Sequence, residues 1–97
     1  MTASALAHSA ATDATPPPDL NSAALALWLA RSDRWEAAHD LCQEISGSAG
    51  SWIHAYLHRE EGDAPNAAYW YARAGKPVPA ASVTLADEWL ELASALA

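Results

Sequence analysis

Apolar residues recur every three to four positions along most of residues 19–97, which is the spacing of one buried face on an α-helix. No segment alternates between apolar and polar residues as a half-buried strand does. The spacing predicts five helices, at about Leu20–Arg31, Arg34–Ile45, Trp52–Glu61, Ala64–Ala74 and Leu85–Leu96. We therefore predict an all-α domain over residues 19–97.

Capping and helix-breaking residues set the boundaries of these five segments. Side chains that can accept a backbone hydrogen bond stand at the predicted N-termini, namely Asp19, Asp33 with Glu36, Ser51, Asp63, and Thr84 with Asp87. The run Ser46–Gly50 predicts a break before the third helix, and Gly75 with Pro77 ends the fourth. Because short turns favour antiparallel neighbours, we predict two antiparallel helical hairpins followed by a C-terminal capping helix.

Residues 1–18 differ from the rest of the chain in composition. Small residues, serine and threonine dominate, apolar bulk is scarce, and the segment ends in the three prolines Pro16–Pro18. Such a segment buries too little apolar surface to offset the entropy of ordering it. We predict that residues 1–18 form a disordered N-terminal tail.

The chain carries a net charge of −7, from 12 acidic and 5 basic residues. It lacks the basic patch that a nucleic-acid backbone requires and the polybasic segment that an anionic membrane surface attracts. No apolar run reaches the roughly 18 residues that span a bilayer. The single cysteine, Cys42, excludes an internal disulfide and suits a reducing compartment. We expect a cytoplasmic protein that binds neither nucleic acid nor membranes.

The two predicted hairpins overlay with a shift of 29 residues, which places Ala26 on Ala55 and Ala38 on Ala67. The second unit resembles a tetratricopeptide or Sel1-like repeat through Ala55, the Gly62-Asp63 turn, Ala67, Tyr71, Ala74 and Pro79. The first unit resembles it less closely, through Leu25, Ala26, Leu29, Trp35 and Ala38. The chain also resembles small bacterial proteins, a likeness that implies no activity.

The repeat resemblance implies a protein-interaction module in which the first helix of each pair lines a concave surface. Side chains expected at this partner-binding surface are Leu27, Arg31, Trp52, Tyr56 and Arg59, with Tyr69 exposed nearby. Aromatic rings beside two arginines suit an acidic peptide or a C-terminal carboxylate. Because two and a half hairpins leave helix faces without a stacking neighbour, a homodimer is expected.

Histidines offer a second kind of chemistry. His54 and His58 stand four residues apart and so share one face of a helix, which is ligand spacing for a single metal ion. His39, on the preceding antiparallel helix, could face them, and the candidates for a fourth ligand are Glu61 and Asp40. Three imidazoles suit zinc, copper or nickel. The alternative is packed histidines that hydrogen-bond to carbonyls and tyrosines.

No nucleophile elbow, phosphate-binding glycine loop or cofactor motif is present in the sequence. We therefore expect a non-enzymatic helical-repeat module that binds a protein or peptide and needs no cofactor. The alternative is a metal-binding protein or small metalloenzyme that holds a divalent transition metal such as zinc in the histidine cluster. A pocket for a small aromatic or lipid-like ligand between the hairpins is a third hypothesis.

Overall fold

The computed structural model describes all of residues 1–97. Its regular structure consists of six α-helices, and it contains no β-strand. The helices are α1 (Ala3–Thr12), α2 (Ser22–Arg31), α3 (Trp35–Cys42), α4 (Gly47–Glu60), α5 (Ala64–Ala74) and α6 (Leu85–Leu96). The all-α prediction is therefore confirmed. None of the six combines the length with the apolar character that crossing a membrane requires.

The helices pack as two sequential pairs, α2 with α3 and α4 with α5, with α3 also contacting α4. Ala55 of α4 and Ala67 of α5 are both buried, as expected where two helices approach closely. The bounds of α5 and α6 match the predicted ones, and the caps Asp63 and Thr84 are confirmed. The assignment of these pairs to a tetratricopeptide or Sel1-like repeat stays a prediction.

The start of α2 and that of α3 differ from the predicted caps. Asn21 caps α2 in place of Asp19, because its side chain accepts a hydrogen bond from the Ala24 N–H at 2.7 Å. α3 begins without a side-chain cap, and Asp33 instead adopts a positive φ of 65° in the turn that precedes it. The predicted capping box of Asp33 with Glu36 is therefore wrong.

α4 begins at Gly47, so the run Ser46–Gly50 is its first turn and not the predicted break. Its N-cap residue is Ser46, not Ser51. Gly50 is buried, and a Cβ atom at this position would lie 1.9 Å from the carbonyl oxygen of Ile45. The glycine therefore permits a close backbone contact between the end of the first pair and the start of the second.

The N-terminal segment contains a helix, so the prediction that residues 1–18 are disordered is wrong. Leu6 of α1 is fully buried, and Ser9 is 5% exposed. The Trp28 Nε1–H donates to Ser9 Oγ at 3.1 Å, and the Ser9 hydroxyl donates to Asp13 Oδ2 at 2.6 Å. The buried side chain of Leu6 and the hydrogen bond between Trp28 and Ser9 thus attach α1 to the core, despite the low apolar content of the segment.

α6 lies across α2 and α4 and covers the face that the two pairs share. Trp89 is fully buried, and its Nε1–H donates to the carbonyl oxygen of Leu27 at 2.9 Å. The Arg31 guanidinium lies 5.0 Å from the centre of the same indole ring. α6 is therefore part of the core, and it is held by hydrogen bonds as well as by apolar contacts.

Candidate metal centre

Three histidines converge where α3 meets α4. α3 contributes His39, and α4 contributes His54 and His58, which its 3.6-residue period places on one face. One ring nitrogen of each histidine lies within 4.8 Å of those of the other two. The structure therefore brings together the three residues that the sequence identified as candidate metal ligands.

The closest pair in this cluster is His39 and His54, whose Nε2 atoms lie 3.0 Å apart. In the metal-free state, one ring must donate and the other accept for this contact to be a hydrogen bond. Two nitrogens that bind one zinc ion tetrahedrally at 2.0–2.1 Å are about 3.3 Å apart. The two rings thus already lie at nearly the separation that a shared ion would require.

His58 is oriented by a carboxylate. Its Nδ1 lies 2.7 Å from Glu61 Oε1, one helical turn further along the chain. A carboxylate at Nδ1 favours the proton there and leaves the Nε2 lone pair for an ion, which is the usual support of a metal-bound histidine. Glu61 therefore serves the cluster through His58, whereas the other candidate, Asp40, is exposed and is not among the clustered ligand groups.

Two indole rings flank the imidazoles. Trp70 of α5 stacks on His54 with ring centroids 3.9 Å apart and an interplanar angle of 12°. Trp35 of α3 stacks on His39 at 4.8 Å and 10°, and its Nε1–H donates to the Leu57 carbonyl oxygen at 2.8 Å. These contacts cover one face of each imidazole and fix the planes of the two rings.

Burial governs the electrostatics of the cluster. His54 and His58 are each 6% exposed. Loss of hydration, with smaller contributions from the neighbouring imidazoles of His39 and His58, lowers the pKa of His54 to about 4. At neutral pH, His54 is therefore uncharged and retains a lone pair, which is the form that binds a metal ion.

A cavity of about 270 Å³ borders the cluster at His54 and Trp70. Cys42 and Arg73 also line it. The Cys42 Sγ–H donates to the His39 carbonyl oxygen at 3.1 Å, and burial raises the pKa of the thiol to about 12. Cys42 is therefore a protonated, packed thiol at neutral pH and is not one of the clustered ligands.

The predicted partner-binding surface is not an open surface. Leu27, Trp52 and Tyr56 are buried, because α6 lies over the face of α2 and α4 that carries them. Tyr69 is 54% exposed, as expected, but it lies on α5 and hydrogen-bonds to Arg73. The expectation that these aromatic residues form one accessible concave surface is wrong.

The carboxylate-binding arrangement of aromatic rings and an arginine that was expected at that surface is nevertheless present beneath α6. Glu88 of α6 is 2% exposed and accepts hydrogen bonds from Arg59 at 2.9 Å and from the Tyr71 hydroxyl at 2.6 Å. The Trp52 Nε1–H lies 3.4 Å from the same carboxylate, and Arg59 also donates to the Val83 carbonyl oxygen. An arginine among aromatic rings thus binds a carboxylate, but that carboxylate belongs to the chain itself.

Sequence reasoning missed three residues that define these two regions. Trp35 stands four residues before His39, a spacing that predicts ring contact on one helix face. Glu88 lies within the apolar stripe of the last helix, which is a sign of a buried, paired charge. Trp70 gave no comparable signal, because its contact with His54 depends on how α5 packs on α4.

The chain matches no protein-family model, no curated protein and no solved structure. Inference about its function therefore depends on the geometry of these residues.

Proposed function

We propose that the protein binds one divalent transition-metal ion, such as zinc, through His39, His54 and His58. The observation that carries the proposal is the convergence of three ring nitrogens within 4.8 Å, with two of them 3.0 Å apart. An ion at their centre would replace a contact between two imidazoles by two coordination bonds. Glu61 would hold His58 in the tautomer that presents Nε2.

The arrangement favours metal binding over packed histidines that bond to carbonyls or tyrosines. The polar neighbours recorded for the three rings are each other and Glu61. Gathering three imidazoles in a buried site costs solvation that a single hydrogen bond between them only partly offsets. Coordination of one ion satisfies all three rings at once.

The proposed site is a binding site and not a catalytic one. Three protein ligands leave a fourth position for water, as in catalytic zinc sites. Here, however, His54 and His58 are buried, His39 is partly buried, and stacked indoles cover His39 and His54. The cavity that borders His54 and Trp70 has no carboxylate in its lining that could act as a general base beside the ion. A structural or metal-carrying role therefore fits the geometry better.

Metal titration with matched histidine variants tests the proposal. Protein stripped with EDTA should take up one equivalent of Zn²⁺ by calorimetry, and saturation at about 100 times Kd should stabilise the fold by about 2.7 kcal/mol. That gain corresponds to a rise in Tm of about 11–22 °C. His54→Gln should abolish both effects, whereas His8→Gln, a change at the exposed histidine of α1, should preserve them. Equal melting curves with EDTA and with Zn²⁺ would refute the metal site.

A second candidate function, protein or peptide binding, is favoured by the environment of Glu88. Arg59, Tyr71 and Trp52 surround this carboxylate in a way that an acidic helix from a partner could reproduce. The occupant in the structure is α6, so a partner helix would have to displace it. Exchange of α6 between two copies would give the homodimer that we expect.

A peptide of residues 84–97, which would compete with the α6 of the chain for the same groove, tests the peptide-binding function. The chain with Trp89→Ala, which loosens α6, should bind the labelled peptide in fluorescence polarisation. A peptide with Glu88→Ala should bind at least tenfold more weakly, because Arg59 and Tyr71 lose their acceptor. Light scattering of the unaltered chain reports the dimer directly. Absence of peptide binding by the Trp89→Ala variant would count against this function.

A further inference from the structure

A second group of ligand atoms lies at the turn between α4 and α5. His58, Glu61 and Asp63 each offer one ligand atom, and these atoms lie within 4.8 Å of one another. Gly62 adopts a φ of 87°, which reverses the chain and allows the Asp63 N–H to donate to the His58 carbonyl oxygen at 2.9 Å. His58 is thus common to this outer group and to the three-histidine cluster.

The two groups differ in their access to solvent. The Glu61 side chain is 38% exposed and Asp63 is partly exposed, whereas His54 is 6% exposed. An ion that approaches from the turn between α4 and α5 therefore meets the two carboxylates before it meets the imidazoles of His58 and His54. Carboxylate oxygens bind ions that retain part of their water shell, and imidazoles are better ligands for zinc, copper and nickel. The carboxylates at the surface therefore suit an ion that is still partly hydrated, and the imidazoles in the interior suit the same ion after it has lost its water.

The Asp63 carboxylate is available for an ion although it caps α5. Its oxygens accept from the Asn66 N–H at 3.4 Å and from the Asn66 side-chain amide at 3.3 Å, both of which are long. Each carboxylate oxygen has a second lone pair that these contacts do not use. Glu61 likewise has an oxygen, Oε2, for which no hydrogen bond is found.

We propose that His58, Glu61 and Asp63 form an outer capture site for a divalent transition-metal cation, which then passes to His39, His54 and His58. This inference rests on the proposed metal-binding function. At the outer site, the ion would bind His58 Nδ1 in place of the proton that Nδ1 shares with Glu61 in the metal-free protein. That proton would leave to solvent, and the ring would take one up on Nε2. At the inner site, the ion would bind Nε2, and the proton lost there to solvent would be matched by one taken up at Nδ1, beside Glu61. The number of bound protons on the ring is then the same before and after transfer.

Uptake kinetics separate capture from mere orientation of His58. Ni²⁺ uptake by the full chain can be followed in a stopped-flow instrument by quenching of tryptophan fluorescence, with Kd measured separately by titration. Glu61→Gln and Asp63→Ser each remove one outer carboxylate, and serine retains the capacity to cap α5. We expect uptake about tenfold slower in each variant, with Kd changed less than the rate. Glu91→Gln removes the same charge from an exposed position of α6 and should leave the rate unchanged.

Each outcome has a distinct meaning. Uptake as fast in Glu61→Gln and Asp63→Ser as in Glu91→Gln would overturn the capture site while leaving the inner site intact. A weaker Kd in Glu61→Gln with unaltered uptake would show that Glu61 only orients His58, and would also overturn it. Failure of the unaltered chain to bind Ni²⁺ would instead defeat the proposed function itself.

Discussion

The indole ring of Trp70 lies parallel to the imidazole of His54, with ring centroids 3.9 Å apart and planes 12° from parallel. An indole at this distance reports directly on a metal ion bound to the imidazole. We expect Cu²⁺ or Ni²⁺ to quench tryptophan fluorescence, because a paramagnetic ion at His54 would deactivate the adjacent excited ring. Trp70→Phe should remove a large part of the quenched signal while binding persists by calorimetry. Unchanged quenching in Trp70→Phe would place the ion elsewhere.

Acid should destabilise the metal-free protein through His54. Its pKa is lowered from 6.5 in the unfolded chain to about 4 in the folded one, so the unfolded state takes up the proton first as pH falls. His54 therefore has no effect on stability above pH 6.5, and its unfavourable contribution grows between pH 6.5 and pH 4 to about 3 kcal/mol. Urea unfolding across this range should show a shallower loss in His54→Gln than in the unaltered chain. Parallel curves for the two proteins would contradict this prediction.

Glu88 should be among the most sensitive positions of the fold. The side chain is 2% exposed and binds Arg59 at 2.9 Å, so Glu88→Ala leaves a guanidinium and a tyrosine hydroxyl without their acceptor. Removal of one partner of such a pair should lower the free energy of unfolding by about 3 kcal/mol, as measured by urea denaturation. Glu91→Ala, an exposed change on the same helix, should have almost no effect. A loss at Glu88 no greater than at Glu91 would contradict the buried pair.

Leu6 tests whether α1 belongs to the core. Because this side chain is fully buried, Leu6→Ala should lower the free energy of unfolding by about 3 kcal/mol. Ser4→Ala, at an exposed position of the same helix, provides the control and should be nearly neutral. If residues 1–18 were disordered in solution, both variants would unfold at the same urea concentration as the parent chain.

Gly50 tests the close contact at the start of α4. In Gly50→Ala, the new methyl group would lie 1.9 Å from the Ile45 carbonyl oxygen, so the backbone must move. We expect a loss of about 1–3 kcal/mol in the free energy of unfolding, although alanine is the better helix former. Ser48→Ala, an exposed change two residues earlier in α4, should be neutral or slightly stabilising in the same thermal melts. A Gly50→Ala variant more stable than its parent would mean that this contact is absent in solution.

The parts of the fold that follow from local chemistry could be predicted from the sequence. The bounds of α5 and α6 agree because Asp63, Gly75 and Thr84 act within one helical turn of themselves. The same reasoning failed where a distant contact decides the structure. α1 depends on Trp28, and the early start of α4 depends on the approach of Gly50 to Ile45.

The candidate site shows the same division. A spacing of four residues places His54 and His58 on one helix face, and an antiparallel neighbour brings His39 towards them. Spacing cannot give the stacking of Trp70 on His54, because that contact depends on the packing of α5 on α4. Nor could it show that α6 covers Trp52, since an arginine beside aromatic rings is compatible with a partner's carboxylate and with Glu88.

The placement of α6 has a consequence for folding of the chain. The Trp89 Nε1–H donates to Leu27 across 62 residues, and the Asn21 side chain donates to the Leu96 carbonyl oxygen across 75. A chain in which α6 has not yet docked therefore leaves Trp52 and Tyr71 without the helix that covers them. Until that docking, the folding polypeptide presents an aromatic groove of the kind that chaperones and aggregation both exploit.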